Sequence, residues 1–382
     1  MDLRYFLINL AGTLLRAFPF PTKTGLIKIG NPGPESPVFL TCNYSLTVER
    51  VKKSLKGIDC YLLVANSNGI NVWCASTGGH LTNHDVILVL KTTGIENLVS
   101  HRRIILPQLA ASGIEARVIR EKTGWNIIWG PVYARDIKKF LKNGMKKSSE
   151  MRQVRFTPTQ RIEMAVMWAF PFSVLSGVIF ALVWKAMLLP VVLLTWILPF
   201  LIFISFPLYM PILSKTKTAS FSKYTRIFDF ALPTFFIWTF FVFSLAIFTF
   251  VNPNFSWATA LRWGVLSLII ILIISIDLMG STPVYKSSLH SDRFFEITLD
   301  GEKCKGEGIC IEVCPRNCFE LNIEKKKAFI PGVERCVRCG ACIVQCPFDA
   351  LYFKNPMGET IPAQIIRTYK LNLMGDRSIK TN

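Results

Sequence analysis

Four apolar stretches, Ala165–Trp184, Met187–Tyr209, Phe228–Val251 and Leu261–Met279, occupy the middle of this 382-residue chain. Each is about 19 residues or longer, enough for a helix rising about 1.5 Å per residue to cross a hydrocarbon core of about 30 Å. In lipid a backbone must satisfy its own polar groups, and a helix does so within one segment. The expectation for residues 160–280 is an all-α membrane bundle of about four transmembrane helices, with the lipid bilayer as a partner. Composition agrees, with 51% hydrophobic residues, 29 Phe and only 18% charged residues. Pro190, Pro199, Pro207 and Pro211 crowd the second stretch, which predicts a kink or a re-entrant piece. Asp229 and Asp277 fall at segment ends, where an interfacial position is expected.

A formal charge of +19 calls for anionic surroundings. No nucleic-acid-binding motif accompanies it, and basic loops beside membrane spans carry such an excess as a rule. Lys215, Lys217, Lys223 and Arg226 cluster between the second and third stretches, and the basic run from Lys138 to Arg155 precedes the first. The bias of positive charge toward the inside places the central loop in the cytoplasm. Four spans then return both flanking regions to the cytoplasmic side of a multi-pass inner-membrane protein, and nucleic acid is not expected as a partner. The N-terminal apolar run Tyr5–Leu15 is short for a span and lacks a small-residue cleavage site. It reads as an interfacial helix or a buried first helix, not a signal peptide.

Eight of the eleven cysteines lie between Cys304 and Cys346. Spacing this tight reads as metal ligation in a reducing compartment, not as a disulfide framework. The second motif is complete: Cys336-x2-Cys339-x2-Cys342-x3-Cys346-Pro347. The first, Cys304-x5-Cys310-x3-Cys314-Pro315, carries Glu307 where a further cysteine would stand. In two-cluster ferredoxins three close cysteines hold one cluster and the cysteine before proline ligates the other. Crossing the ligands gives Cys336, Cys339, Cys342 and Cys314 for a 4Fe–4S cluster. Cys304, Cys310 and Cys346 remain for a second cluster, expected as 3Fe–4S or as 4Fe–4S with a labile iron. This region resembles bacterial-type two-cluster ferredoxins over about 60 residues. A small α+β domain over residues 290–382 follows, which needs an electron donor. A zinc ribbon is the bland alternative, and the interlocked Cys-Pro ends speak against it. Cys318 is extra: it either replaces the missing ligand or, as is commoner, is a free buried cysteine.

The first region alternates short apolar and amphipathic runs, as an α/β domain does. Cys60–Ala65, Ile70–Ala75, Glu115–Arg120 and Asn126–Trp129 read as strands. Asp85–Thr92 reads as part of a helix, and Val132–Leu141 as a helix closed by Gly144. Read on its residues alone, Asn71-Val72-Trp73-Cys74-Ala75 closes a strand before the glycine turn at Gly78-Gly79. Cys74 is then a small core residue and the turn a weak phosphate cradle. His80 and His84 stand four apart without an obvious third metal ligand, and His101 reads as structural or cofactor-contacting rather than as a general base. No paired carboxylates, nucleophile triad or P-loop is present.

The string Asn71–Ala75 resembles the cap-helix motif of the corrinoid protein of microbial mercury methylation (HgcA-like), a relative of the corrinoid subunits of the acetyl-CoA pathway. The likeness runs on through Thr93-Gly94, Ser100-His101-Arg102, Leu106-Pro107-Gln108-Leu109, Gly113 and Gly130-Pro131-Val132. That family sets a corrinoid domain before a membrane domain and works with a small two-cluster ferredoxin (HgcB-like), here fused to the chain. The resemblance implies a corrinoid-binding α/β domain over residues 1–155 and a cobalamin-type corrinoid. Asn71, Val72, Trp73, Cys74 and Ala75 would contact it, with the Cys74 thiolate as lower axial ligand of cobalt. It also implies a methyl donor, protein or small molecule, and re-reduction of cobalt by the clusters.

Two departures bear on the acceptor. Ser76-Thr77-Gly78-Gly79-His80 replaces the family's small residues and lysine, and no cysteine follows Cys346, where the ferredoxin partner carries a pair thought to handle Hg(II). The expected activity is therefore membrane-bound corrinoid-dependent methyl transfer, with Hg(II) or another acceptor. The rival expectation is a membrane-anchored iron–sulfur electron carrier without corrinoid.

Overall fold

Two runs of consecutively buried residues, Val-Phe-Leu-Thr-Cys and Cys-Tyr-Leu-Leu-Val-Ala, set the centre of the α/β sheet. Strands buried on both faces are apolar throughout and belong in a parallel sheet covered by helices on either side. The computed structural model describes residues 3–215, 256–278, 295–371 and 377–378, with isolated positions between 239 and 284. It divides into two compact units, one of residues 1–12, 19–154 and 294–382, the other of residues 13–18 and 155–293.

The first unit opens with α1 (Leu3–Leu14), β1 (Gly25–Ile29), β2 (Val38–Cys42), α2 (Ser45–Leu55) and β3 (Cys60–Ala65). There follow α3 (Val72–Thr77), α4 (Asn83–Thr92), β4 (Arg103–Pro107), a 3-10 turn at Gln108–Ser112, α5 (Ala116–Thr123) and β5 (Asn126–Gly130). The helices α6 (Ile137–Lys142) and α7 (Ser149–Arg152) complete this part. The strand order is β1-β3-β2-β4-β5. β1 is antiparallel to β3, and the other three pairings are parallel, with Val38 opposite Tyr61 and Arg103 opposite Asn126. The expected α/β class is therefore present.

Two segments read as strands are helices. Ile70–Ala75 gives way to α3, because the Asn71 side chain accepts the Cys74 N–H at 3.1 Å and starts a helix. The preceding strand has already ended at Ala65, and the chain turns at Asn68 and Gly69, both at positive φ. Glu115–Arg120 gives way to α5, which buries only Ile119 and stops at Gly124 in the left-handed conformation. Val132–Leu141 becomes a 3-10 turn at Ala134–Asp136 followed by α6, with Gly144 at φ 63° beyond it. α4 starts two residues earlier than expected, on a Thr82–Asp85 capping box.

The C-terminal part of the same unit contains β6 (Glu296–Leu299), α12 (Ile309–Val313), a hairpin of β7 (Glu320–Asn322) and β8 (Lys327–Phe329), and α13 (Ala341–Gln345). β9 (Leu351–Lys354), β10 (Thr360–Ile361) and α14 (Ala363–Thr368) end it, and the second sheet runs β10-β9-β6. An internal repeat of 32 residues underlies it. Cys304, Cys310 and Cys314 each precede Cys336, Cys342 and Cys346 by that interval. Gly308 and Gly340, equally spaced, enter α12 and α13 at φ 73° and 77°, and each helix closes on a Cys-Pro. This is the α+β region expected from the cysteines.

The second unit holds α8 (Pro158–Val183), α9 (Leu188–Ile204), α10 (Phe206–Lys215) and α11 (Trp257–Leu278). α8 begins seven residues before the apolar stretch, on a Thr157–Gln160 capping box, and contains Pro171. The second stretch is not one helix: it breaks at Ser205, just before Pro207, and α9 accommodates Pro199 inside. Among the described residues, Pro158–Val183 and Lys185–Ile204 are long and apolar enough to cross a membrane, with mean hydropathy 2.1 and 2.6. The third stretch, Phe228–Val251, and most of the cationic loop before it lie outside the described residues.

Candidate functional site

Asn43, directly after β2, organises the loop that presents α3. Its Oδ1 accepts from Ser67 N at 2.9 Å, Ser67 Oγ at 2.9 Å and Gly69 N at 3.0 Å. Three donors on one buried oxygen lock residues 67–69. Gly69 must be glycine, since a Cβ would meet Pro21 N at 2.5 Å and its φ is 68°. The loop leaves the C-terminal end of β3, the edge at which open parallel sheets place their ligands. It delivers Asn71 as the cap of α3, with Cys74 exposed on the first turn.

The three N-terminal cysteines differ sharply. Cys42 and Cys60 are fully buried, and burial pushes both thiols up, Cys60 to about 12. Only Cys74 of the three is exposed. Val72 and Ala75 are buried beneath α3, and Asn71 and Trp73 are half-buried. Two buried hydroxyls, Thr41 Oγ1 at the end of β2 and Ser76 Oγ on α3, have no hydrogen-bond partner.

His80 and His84 do not share a helix: His80 lies in the turn after α3, with Nδ1 3.2 Å from Asn68 Nδ2, and His84 is in α4. His101 Nδ1 accepts from Arg103 N at 3.3 Å, so Nε2 carries the proton and donates to Ser36 O at 3.1 Å. That is a structural role.

In the C-terminal part the thiols lie close to one another. Cys310 lies beside Cys304 and Cys346. Cys342 lies beside Cys314, Cys339 and Cys336, with Cys310 also close. Backbone N–H groups point at the sulfurs: Cys318 N to Cys314 Sγ at 3.3 Å, and Ala328 N to Cys304, Arg338 N to Cys336 and Ala350 N to Cys346, each at 3.4 Å. As free thiols, Cys310 is pushed up to about 12 and Cys342 well above its ordinary value, by burial first and then by neighbouring sulfurs. So many buried sulfurs fit a polynuclear cationic centre, which supplies the charge that thiolates need. Among the described residues no three His, Cys, Asp or Glu side chains close on a single metal-ion position.

Glu307 is exposed, between Gly306 and Gly308, both at positive φ. Cys318, 32 residues before Ala350, is buried and hydrogen-bonds Cys314 and Cys336. Its neighbours belong to the complete set of four thiols, not to the set of three. Cys318→Ala should therefore leave the iron content of the protein unchanged, measured by iron assay after anaerobic purification.

The α/β and cysteine-bearing parts of this unit are joined by polar contacts. Val154 N donates to Pro315 O at 2.8 Å, Arg316 Nη1 donates to Val154 O at 3.1 Å, and Asn317 Nδ2 donates to Ser149 Oγ at 2.9 Å. Lys147 Nζ donates to Gln108 Oε1 at 2.8 Å and Glu312 O at 2.9 Å. Sequence reasoning missed both Asn43 and Lys147. The signal for Asn43 is a polar residue directly after a buried strand; Lys147 is hidden in a basic run.

Burial holds Lys147 down at about 7 from 10.5. Between those values the folded chain binds fewer protons than the unfolded chain, so stability should climb with pH across that window. Urea midpoints of the loaded protein between pH 7 and 10 should rise, and Lys147→Met should flatten the rise.

Residues 16–141 match the family model described as CO dehydrogenase/acetyl-CoA synthase delta subunit. Residues 301–317 and 332–352 each match a model described as 4Fe-4S binding domain. The acetyl-CoA decarbonylase/synthase complex subunit gamma of Archaeoglobus fulgidus is 38% identical over 125 residues, which is 32% of this chain and 26% of that protein. Its namesake in Methanocaldococcus jannaschii is 38% identical over 131 residues, 34% of this chain and 26% of that protein. In Methanopyrus kandleri the figures are 35% over 135 residues, 35% and 29%. The chain thus spans about a quarter of the length of the curated relatives it matches. The expected kinship with acetyl-CoA pathway subunits is borne out, and the finer assignment to mercury methylation is not reached. The chain joins a region similar to acetyl-CoA synthase subunits to a 4Fe–4S binding region in one polypeptide.

Proposed function

We propose that this chain is a membrane-bound, corrinoid-dependent methyl carrier with its own iron–sulfur electron-transfer domain. The observation that carries the reading is the exposed Cys74 on the Asn71-capped helix, at the ligand edge of a sheet whose sequence is similar to acetyl-CoA synthase subunits. The fit is good: an accessible thiol, a locked loop behind it and two buried hydroxyls without protein partners. A bound corrinoid would supply the methyl-carrying cobalt. Cys74 would hold it through its sulfur, with Asn71, Val72, Trp73 and Ala75 fixing the backbone and packing. The group would supply a transferable methyl, and the soft, electron-rich Cys74 sulfur would suit holding the corrinoid.

Cys314, Cys336, Cys339 and Cys342 would hold a 4Fe–4S cluster; Cys304, Cys310 and Cys346 a three-iron or labile four-iron one. A reductant partner feeds these, and a methyl donor, protein or small molecule, feeds Cys74's site. Hg(II) is the acceptor the cap-helix resemblance names. The likeness to acetyl-CoA complex subunits favours a different acceptor equally well. The deciding experiment is the visible spectrum of anaerobically purified protein. Corrinoid and iron–sulfur bands together support the reading; iron–sulfur bands alone support the rival, a membrane-anchored electron carrier.

The two long apolar helices support membrane attachment, and a four-span topology would put both soluble parts in the cytoplasm. Reporters fused after residues 150 and 382 should read out on the cytoplasmic side, and one in the 252–259 segment on the other. Termini on opposite sides would overturn the span count.

A further inference from the structure

The 32-residue repeat of the cysteine-bearing part is broken at one position that the clusters do not need. Val313, the last residue of α12, is buried and apolar; its counterpart at the end of α13 is Gln345, equally enclosed. A buried amide must be satisfied, and here every partner lies in the α/β part. Gln345 Nε2 donates to Ala111 O at 2.7 Å and Ile114 O at 2.5 Å, and Oε1 accepts from Ala116 N at 3.2 Å. All three partners are backbone groups of residues 111–116. Arg367 backs the contact: it donates to Cys346 O at 3.0 Å and lies 3.5 Å from Glu115 Oε2.

The segment that Gln345 grips also backs the Cys74 helix. A Cβ on Gly113 would meet Ser76 O at 2.5 Å and Leu81 O at 2.8 Å, so the two backbones are in direct contact. Gln345 is bonded to Cys346 and stands three residues from Cys342, one thiol of each expected ligand set. Ser76 is two residues from Cys74. The covalent path from either cluster position to Cys74 is thus interrupted only twice, once by the Gln345 hydrogen bonds and once by the Gly113–Ser76 contact.

We propose that Gln345 is a positioning residue that fixes the cluster-bearing helix on the backing of the Cys74 helix, giving electrons one defined internal route between them. The inference rests on the reading above for the natural acceptor, but not for its test. In the full chain with clusters loaded, Cys74 is labelled with a thiol-reactive ruthenium complex; Cys42, Cys60 and Cys318 are buried. The clusters are reduced with dithionite, excess reductant is removed, and a flash with a soluble quencher oxidises the ruthenium. The electron leaving a reduced cluster then restores ruthenium(II), followed by its absorbance.

Wild type should recover with a first-order rate independent of protein concentration. Gln345→Leu should slow recovery at least tenfold and speed amide exchange at residues 111–116, with iron content and cluster resonances unchanged. Should that variant lose iron, Gln345→Asn keeps the amide but withdraws it, and the same slowing is expected. An unchanged rate in an iron-replete variant, or a wild-type rate that scales with protein concentration, overturns the proposal. A wild-type protein that takes up no corrinoid would remove the natural acceptor and leave this measurement decisive.

Discussion

Cys74→Ala should abolish methyl transfer and shift the corrinoid spectrum, with the iron–sulfur signals intact. The effect is expected to be near-complete because an alanine methyl cannot coordinate a metal, and no other N-terminal thiol can move in. Cys42 and Cys60 are enclosed in the sheet with their thiols pushed up, so neither offers a thiolate at the α3 edge. Cys42→Ala and Cys60→Ala should leave the spectrum alone and cost only packing, on the order of 1 kcal/mol for a small buried side chain. Asn71→Ala separates ligation from presentation. It removes the cap of α3, about 1 kcal/mol, and should weaken corrinoid retention without altering the bound spectrum. An unchanged spectrum in Cys74→Ala would demote the residue to a surface thiol.

Air-oxidised wild-type protein should show a three-iron resonance, and Glu307→Cys should remove it. Glu307 stands where Cys339 stands in the second repeat, and carboxylate is the harder ligand, holding iron less firmly than thiolate. Its side chain is exposed, so the iron it faces would meet water readily. The flanking Gly306 and Gly308 keep the loop at positive φ, and Gly306 is pressed on Lys326 O, where a Cβ would approach to 2.2 Å. A thiol introduced between them inherits a backbone already shaped for ligation. Cys318 cannot substitute, because it faces Cys314 and Cys336. Two stable four-iron clusters in wild type would contradict this assignment.

Much of this was legible in the sequence, for identifiable reasons. Ligand spacing is local, so the expected ligand sets follow from counting residues between Cys304 and Cys346. The fully buried strand Cys60–Ala65 announces itself by composition. Val72-Trp73-Cys74 misled because its β-propensity is real, yet one side-chain hydrogen bond from Asn71 outweighs it. Glu115–Arg120 misled for another reason: six residues are too few to tell a helical period from a strand's, although the whole helix Ala116–Thr123 is amphipathic. Gln345 and Asn43 were invisible because their partners lie more than twenty residues away along the chain, which no local pattern encodes.

That distance matters for how the chain acquires its shape. Gln345 and Ala111 are 234 residues apart, and a free chain of that length closes at a logarithmic entropy cost on the order of 5 kcal/mol. The first 154 residues leave the ribosome long before their counterpart exists, with the 111–116 backbone lacking its acceptor and donors. Such late, non-local docking is slow and leaves partly built species open to aggregation. An intervening segment that enters the bilayer as helical hairpins would draw residues 154 and 294 together on one side and shorten the effective loop. Membrane insertion would then speed the docking of the two parts of the first unit, and cluster assembly would be the last step to close it.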